Sequence, residues 1–417
     1  MEEPLISRRV YVERLRKYQH TDVIKVITGI RRSGKSTLMR LFIRELLNQG
    51  VPAARIVHIN FSLMEYDRLR DYRTCYALIR ERMPASGRVS VFLDEVQMVE
   101  SWEKAVNSLH AEGRSDICLT GSNAWLLSSE LSTLLSGRYV EIPILPLSFR
   151  EYLDFAPLAP AEDGPQEDKP LPDREEQFRR YLKFGGFPGV SKLPQDNETV
   201  NGYLAGIFNT VIVKDVLARH PVQDVKMFEQ LVKFLCQNTG NLVSPANIAG
   251  FISSQGRGIA VKAATVSRYL DLLEKAYIVY PSPRYDIKGK ELLKTLAKYY
   301  VVDTGLRNML LGYGDADLGH LIETLVYFEL RRRGFQVFTG KHYDREIDFF
   351  AVRQDRRVYY QVALSMLDEG VRERELAPLR SVKDNYDKIV LTMDRTFITD
   401  YAGIRLVNIL DFLMEDY

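Results

Sequence analysis

Residues 26–42 read VITGIRRSGKSTLMRLF. A β-branched run ends at a glycine, four variable positions follow, and Gly34-Lys35-Ser36 opens a stretch with helical spacing. The fixed positions Gly29, Gly34, Lys35 and Ser36 satisfy G-x-x-x-x-G-K-[ST], a turn between strand and helix that wraps phosphate. The two glycines let the backbone of Ile30, Arg31, Arg32 and Ser33 bend closely enough for its N–H groups to face phosphate oxygens. The helix beyond directs its positive end at the same anion. Lys35 reaches the terminal phosphates, and the Ser36 hydroxyl is a magnesium ligand. Thr37 ends this cofactor-binding stretch, with its side chain left to the helix. ATP and Mg2+ are the cofactors such a turn predicts.

VSVFLDE (89–95) supplies the complementary half. A buried strand that ends in an acid sets that carboxylate at the sheet edge where ligands of open α/β folds collect, so Asp94 is read as the magnesium-side carboxylate. Glu95, next to it, is the expected general base toward an attacking water. One strand, RIVHINFS (55–62), intervenes, an order that fits NTPases with an inserted strand and a catalytic glutamate. At Thr120-Gly121-Ser122-Asn123, Asn123 is the first choice for sensing the γ-phosphate and Ser122 the second; a helix cap is the competing use of both. Arg138 follows a glycine just before a strand. Arginines so placed stabilise a neighbouring subunit's phosphate, and a local surface ion pair accounts for it equally well. Arg31 and Arg32 lie inside the loop, and at least one of them is expected to face solvent or a subunit interface.

The 417 residues, 46% hydrophobic and 27% charged, suit two to four soluble globular units. No apolar run approaches the eighteen or so residues of a membrane helix, and the N-terminus lacks a secretion pattern, so the expected location is the cytoplasm. Cys75, Cys118 and Cys236 are far apart and predict neither disulfides nor zinc. With 57 basic against 55 acidic side chains, nucleic-acid binding has to come from local patches.

Strand and helix signals alternate over residues 1–150, as in a mainly parallel sheet. The strands are VIKVITG, RIVHINFS, VSVFLDE, DICLTGS and YVEIPIL. Residues 155–176, rich in proline and acid, read as a mobile surface loop within a helical region. From Val225 the order becomes helix, turn, helix and strand, that of a winged helix. Beyond Leu292 a second small α/β unit follows.

On these residues the chain resembles the prokaryotic AAA-type ATPases that carry a C-terminal domain of unknown function with a restriction-endonuclease-like, PD-(D/E)XK, core. The resemblance rests on GIRRSGKST, FLDEVQ, LTGSN, LSGRYVEIPILPLSFREYL, FGGFPGV, KYYVVDTGLRN, ETLVYFEL, EIDF and YYQVA, and spans nearly the whole length. It implies an α/β fold with a P-loop ATPase domain (1–150), a helical lid with the acidic loop (151–223), a winged helix (224–290) and a nuclease-like domain (291–417). The first two motifs speak for ATP use; the others identify the family more than a reaction.

Magnesium nucleases of that fold require two or three carboxylates and a lysine. Glu323, Asp348 and Gln361 fall on the corresponding helix and strands, but Gln361 is neutral and Ala363 stands where the lysine belongs. Glu346, or a relocated lysine such as Lys341, would have to compensate. The expectation is a scaffold without nuclease activity that grips nucleic acid or a partner. In the winged helix, Val266, Leu270, Leu273 and Tyr277 form the buried face, leaving Ser267, Arg268, Asp271, Glu274 and Lys275 outside. Arg284, Lys288, Lys290, Lys294 and Lys298 are candidate phosphate contacts, and Arg331-Arg332-Arg333 is a second basic spot. His320 and His342 are assigned structural roles. The expected function is an oligomeric, magnesium-dependent ATPase acting on DNA, branched DNA included. The alternatives are a nucleotide-gated switch for a protein partner and a nuclease coupled to ATP.

Overall fold

Strand β1 (Ile24–Thr28) is buried along its whole length, so both faces of the sheet it belongs to must be covered. In the computed structural model, which describes residues 5–121, 135, 137–155, 174–211, 216, 224–255, 260–396 and 398–415, α1 (Arg9–Lys17) precedes this strand and α2 (Lys35–Asn48) follows it. The unit continues through β2 (Ile56–Asn60), α3 (Tyr72–Arg82), β3 (Val89–Asp94), α4 (Trp102–Ala111), β4 (Ser115–Thr120) and β5 (Tyr139–Pro143). All five strands pair in parallel, in the order β2-β3-β4-β1-β5. Alternation along each strand divides the core. Ile24, Val26, Val91 and Leu93 pack with Ile79, Val106 and Leu109 on one face. Ile27 and Phe92 pack with Leu38, Phe42, Tyr11 and Leu15 on the other. Lys25 is buried in the same strand, where its ammonium meets the Asp116 carboxylate of β4.

The chain divides into two compact units, Met1–Pro146 with Lys275–Tyr277, and Leu147–Glu274 with Ile278–Tyr417. The second opens with α5 (Phe149–Phe155), α6 (Arg174–Phe184), α7 (Asn197–Thr210) and α8 (Val225–Gln237), then β6 (Leu242–Val243), α9 (Pro245–Gln255) and α10 (Ala263–Lys275). Val266, Leu270 and Leu273 of α10 are buried while Ser267, Arg268 and Asp271 face outward, as their spacing predicts. Strands β7 (Val279–Asp286) and β8 (Glu291–Val301) form an antiparallel hairpin, and the expected boundary at 290 falls in its turn. After α11 (Thr304–Leu311) and α12 (Leu318–Arg332) come β9 (Gln336–His342), β10 (Arg345–Arg353) and β11 (Arg356–Ala363). Helix α13 (Glu369–Ser381), β12 (Asp387–Thr392), β13 (Asp400–Tyr401), β14 (Ile404–Asn408) and α14 (Ile409–Met414) complete it. One nine-stranded sheet, β13-β14-β12-β11-β10-β9-β7-β8-β6, runs through the unit. Pro281 and Pro283 lie in β7, but β9 pairs with β7 only from Arg284 to Asp286, so the missing N–H groups interrupt no bond on that side.

The FGGFPGV and VVDTGLRN motifs meet in a clasp within this unit. Asp303 caps α11 by accepting from Leu306 N at 3.1 Å and also accepts from Gly186 N at 2.6 Å. Asn308 donates to the carbonyls of Leu182 and Lys183 at the end of α6. Gly185 has φ +80°, and a Cβ there would lie 2.1 Å from Asp303 Oδ1, which admits only glycine. Burial pushes the Asp303 carboxyl up to about 6, against the pull of the backbone donors at Gly186, Leu306 and Gly305. A carboxyl raised on folding favours the folded state while it is protonated. Its contribution is complete below the ordinary aspartate value and lost as pH rises through about 6. Relative to the parent, Asp303→Asn is expected to remove about 2–3 kcal/mol of pH dependence over that interval, read from urea unfolding. An unchanged slope would refute the assignment.

Candidate functional site

Residues Gly29–Gly34 turn at the C-terminal edge of the parallel sheet. Gly29 has φ +133°, and a Cβ there would sit 2.2 Å from the Ile144 carbonyl oxygen. Gly34 caps α2 with φ +99°, and Arg32 also takes a left-handed conformation, at φ +67°. Ser33 and Ile30 are buried, Arg31 is half-buried and Arg32 is exposed. Arg8, 2% exposed, braces the turn: its guanidinium donates to Ser33 O at 3.0 Å and twice to Leu145 O at 3.1 Å. Lys35 is buried at the start of α2, with Nζ donating to Gly29 O at 2.9 Å and Ile30 O at 3.0 Å. Thr37, half-buried on α2, accepts a weak 3.5 Å bond from Arg40.

The acids converge on this turn. Ser36 Oγ donates to Asp94 Oδ1 at 3.0 Å, which brings together the two expected magnesium ligands. The same carboxylate oxygen accepts from the Thr120 hydroxyl, and Thr120 Oγ1 accepts from Glu95 N at 3.0 Å. Glu95 has φ +57°, and the Gln97 amide donates to its Oε2. A non-glycine residue in that region is held by its surroundings, and here Thr120 and Gln97 hold both backbone and side chain. Asp94 is 1% exposed and Thr120 is fully buried. An oxygen pair from Ser36 and Asp94 at a helix N-terminus, beside a lysine and backbone N–H groups, fits a hard cation bound to phosphate.

Thr120 was not among the residues expected here. The legible signal is register: Leu93 of β3 pairs with Leu119 of β4, so the next residues, Asp94 and Thr120, are neighbours at the edge. His58 of β2 is a further unforeseen neighbour. Burial pulls it below its ordinary value while Asp94 acts the other way, and its Nε2 is buried without a hydrogen-bond partner among the described residues. Asn123 and Ser122 lie outside the described residues. Arg138 is exposed, and its carbonyl accepts from Ile24 N at 2.9 Å, which places it at the start of β1 and β5. The phosphate loop is at the far end of those strands, roughly 17 Å away at about 3.3 Å per residue. Arg138 therefore cannot touch a phosphate held by its own loop.

A second polar centre lies in the second unit. Glu323 of α12 and Glu346 and Asp348 of β10 all face Lys298 of β8, at 2.9, 2.9 and 3.4 Å. Burial pulls this ammonium down, and the fields of Glu323, Asp348 and Glu346 more than reverse it, so it is held above its ordinary value. Burial pushes Asp348 up, with Lys298 opposing. Gln361 bridges the backbone N–H of Asp348 (3.3 Å) and the Glu375 carboxylate (2.9 Å).

Three expectations are corrected here. The lysine facing these acids is Lys298, not Lys341. Lys298 is 3% exposed and held by carboxylates, so it is no phosphate contact on the hairpin surface. In Arg331-Arg332-Arg333 only the first is exposed; Arg332 and Arg333 are buried against Glu329, itself 1% exposed, because that interior carboxylate requires counter-charge. The ring Nδ1 of His342 meets Ser381 Oγ at 2.8 Å, a structural contact. Among the described residues no helix is long and apolar enough to cross a membrane, and all three cysteines are free and buried.

Comparison with known proteins matches residues 21–153 to a family described as an AAA domain and residues 175–317 to one described as a domain of unknown function (DUF8612). An uncharacterised protein of Haemophilus influenzae is 40% identical over 416 residues, covering 100% of both chains. Another, from Methanocaldococcus jannaschii, is 30% identical over 87% of this chain and 79% of its own. Among solved structures, a Walker-type ATPase of Pyrococcus abyssi aligns over 73% of this chain and 95% of that one, with TM-score 0.47 and 15% identity. The phosphate loop and acid edge described above lie inside the matched AAA segment, and the chain belongs to the family of these uncharacterised proteins, with an AAA-type P-loop ATPase domain at its N-terminal end.

Proposed function

We propose that the chain is a magnesium-dependent ATPase. One observation carries this reading: the hydrogen-bonded series Ser36, Asp94, Thr120 and Glu95 standing beside the phosphate loop. The loop N–H groups and Lys35 bind and orient the β- and γ-phosphates. Ser36 and Asp94 are the residues that would hold magnesium, which when bound neutralises charge on the phosphate oxygens. Glu95 accepts the proton of the attacking water, with its carboxylate oriented by Gln97. Asn123 is assigned the sensing of the γ-phosphate on its place in the sequence alone. Arg138 is assigned to a neighbouring copy's nucleotide in a homo-oligomer, a role supported by its exposure at the end of β1 remote from its own loop. Phosphate release by purified protein with magnesium is the test. Lys35→Ala is expected to lose nucleotide binding, and a parental chain that neither binds adenine nucleotide nor releases phosphate ends this reading.

Thr120→Val keeps the shape and deletes the hydroxyl that joins Asp94 to Glu95. Losing a hydrogen bond to a charged group costs about 1.5–3 kcal/mol, so turnover is expected to fall roughly 10- to 100-fold. Equilibrium nucleotide binding measured alongside should change much less. Turnover at the parental rate would remove Thr120 from the site.

The output we infer is DNA, branched forms included, bound by a cytoplasmic assembly through a winged helix at 224–290 and a nuclease-like region at 291–417. Support comes from the β7–β8 turn, where Lys288 and Lys290 are exposed, and the β9–β10 turn, where Tyr343 is 60% exposed. Parallel pairing of β7 with β9 sets the two turns side by side, and Lys288 Nζ lies 4.5 Å from the centre of the Tyr343 ring. Such cations contact phosphates and such a ring stacks on a base. Burial of Lys298, Arg332 and Arg333 favours the rival, a nucleotide-gated switch for a protein partner, because it withdraws three cations from any DNA surface. Gel shifts with linear, forked and four-way DNA across a salt series separate the two. Binding that weakens with salt and with Lys288→Glu/Lys290→Glu supports DNA; no salt-sensitive binding to any form supports the rival.

A further inference from the structure

The restriction-endonuclease resemblance implies a magnesium ion among Glu323, Asp348 and position 361, and the residues present do not fit one. An ammonium has three donors and no acceptor. Lys298 directs its Nζ at three separate carboxylates, those of Glu323, Glu346 and Asp348, within 3.4 Å. Two further donors hold these acids from outside the ring: Tyr300 donates its hydroxyl to Glu323 Oε1, the oxygen that also faces Lys298, at 2.7 Å, and Val362 N donates to Asp348 Oδ2 at 2.9 Å. A hard divalent ion needs six or more oxygens, at about 2.0–2.6 Å, and no group of three or more acidic, histidine or cysteine side chains among the described residues is placed to give that. Gln361 agrees with a single positive charge. Its carbonyl oxygen accepts from Asp348 N, and its amide nitrogen donates to Glu375, a bond that a glutamate at 361 could not make. A carboxylate at 361 would add to the three that already face one ammonium, and excess buried negative charge is strongly unfavourable.

We propose that Lys298 is the resident cation of this centre: its ammonium occupies the place of a divalent ion, holding the acids together without metal and leaving the centre unable to hydrolyse phosphodiesters.

The test uses the full chain carrying Asp94→Asn, which disables the cation ligand of the first unit, and Mn2+ as probe, without nucleotide. With Lys298 intact, the electron paramagnetic resonance signal of free Mn2+ should persist on titration and the melting temperature should not move. Adding Lys298→Met should create uptake of one ion per chain and a melting temperature that rises by several degrees with Mn2+. A further Asp348→Asn should abolish both. Uptake by the Lys298 chain that Asp348→Asn removes would overturn the proposal, as would Mn2+-dependent DNA cleavage sensitive to the same substitution. A folded Lys298→Met chain that ignores Mn2+ counts against it equally. Should Lys298→Met fail to fold, the Lys298 chain decides alone, with absence of uptake and of cleavage sustaining the proposal. None of these readings depends on ATP turnover, so failure here and failure of the ATPase reading are separate results.

Discussion

Glu95→Gln is expected to bind ATP as the parent does and to turn it over roughly 100- to 10,000-fold more slowly, the range spanned by loss of a general base. The substitution preserves shape and both neighbouring contacts. Glu95 N still donates to Thr120, and the Gln97 amide still has an oxygen to meet. What disappears is the negative charge and its affinity for a proton. Binding should survive because the phosphate contacts belong to the loop and Lys35, not to this side chain. Fluorescent-nucleotide titration and single-turnover phosphate release measure the two quantities separately, and comparison with Lys35→Ala gives the opposite pattern. Parental turnover in Glu95→Gln would mean that the water is activated by some other group.

Glu329→Ala should strongly destabilise the second unit. Its carboxylate accepts from Arg333 Nε at 3.1 Å and Arg332 at 3.3 Å, with Glu329 and both guanidinium groups under 10% exposed. Arg333 keeps Glu415, on a more exposed side chain, at 2.9 Å, and its guanidinium still lies 4.0 Å from the Phe412 ring centre. Arg332 keeps its bond to the Leu147 carbonyl at 3.2 Å, a neutral acceptor in place of this adjacent negative charge. Removing one partner of a buried ionic group costs about 3–5 kcal/mol, a large part of the roughly 5–15 kcal/mol that holds a domain folded. Denaturant unfolding of the full chain, followed through the tyrosines of the second unit, provides the measurement. Glu329→Gln, which retains acceptor oxygen and volume, should lose less. A loss below about 1 kcal/mol for the alanine variant, the size of a surface pair, would show that the interior charges find other partners.

The nucleotide half of the fold was legible because its determinants are local. Glycine geometry, a lysine at fixed spacing and an acid at the end of an apolar strand are each confined to a few consecutive residues, and all five expected strands appear in parallel. Thr120 was missed because its role comes from lateral register between strands, which a motif ending in Ser122 and Asn123 draws attention away from. Lys298 was counted with exposed lysines because KGKELLKTLAK carries them at close spacing, and nothing within that stretch tells which one turns inward. Its partners are 25 to 50 residues further along the chain. The triple arginine misled for the same reason: adjacent residues on a helix point in different directions, so a charge run at the end of α12 has both an outer and an inner face.

The sheet that joins β6 to β13 has a mechanical meaning. Strand β8 leads directly from the turn that displays Lys288 and Lys290 to the ammonium of Lys298, and hydrogen-bonded neighbours flank it on both sides. Tension on the turn would thus travel as shear along paired strands, but between turn and ammonium the pairing slips, from Leu293 opposite Arg284 to Ala297 opposite Pro283. That slip is a joint able to give, so unfolding under force should release the turn before the ionic core.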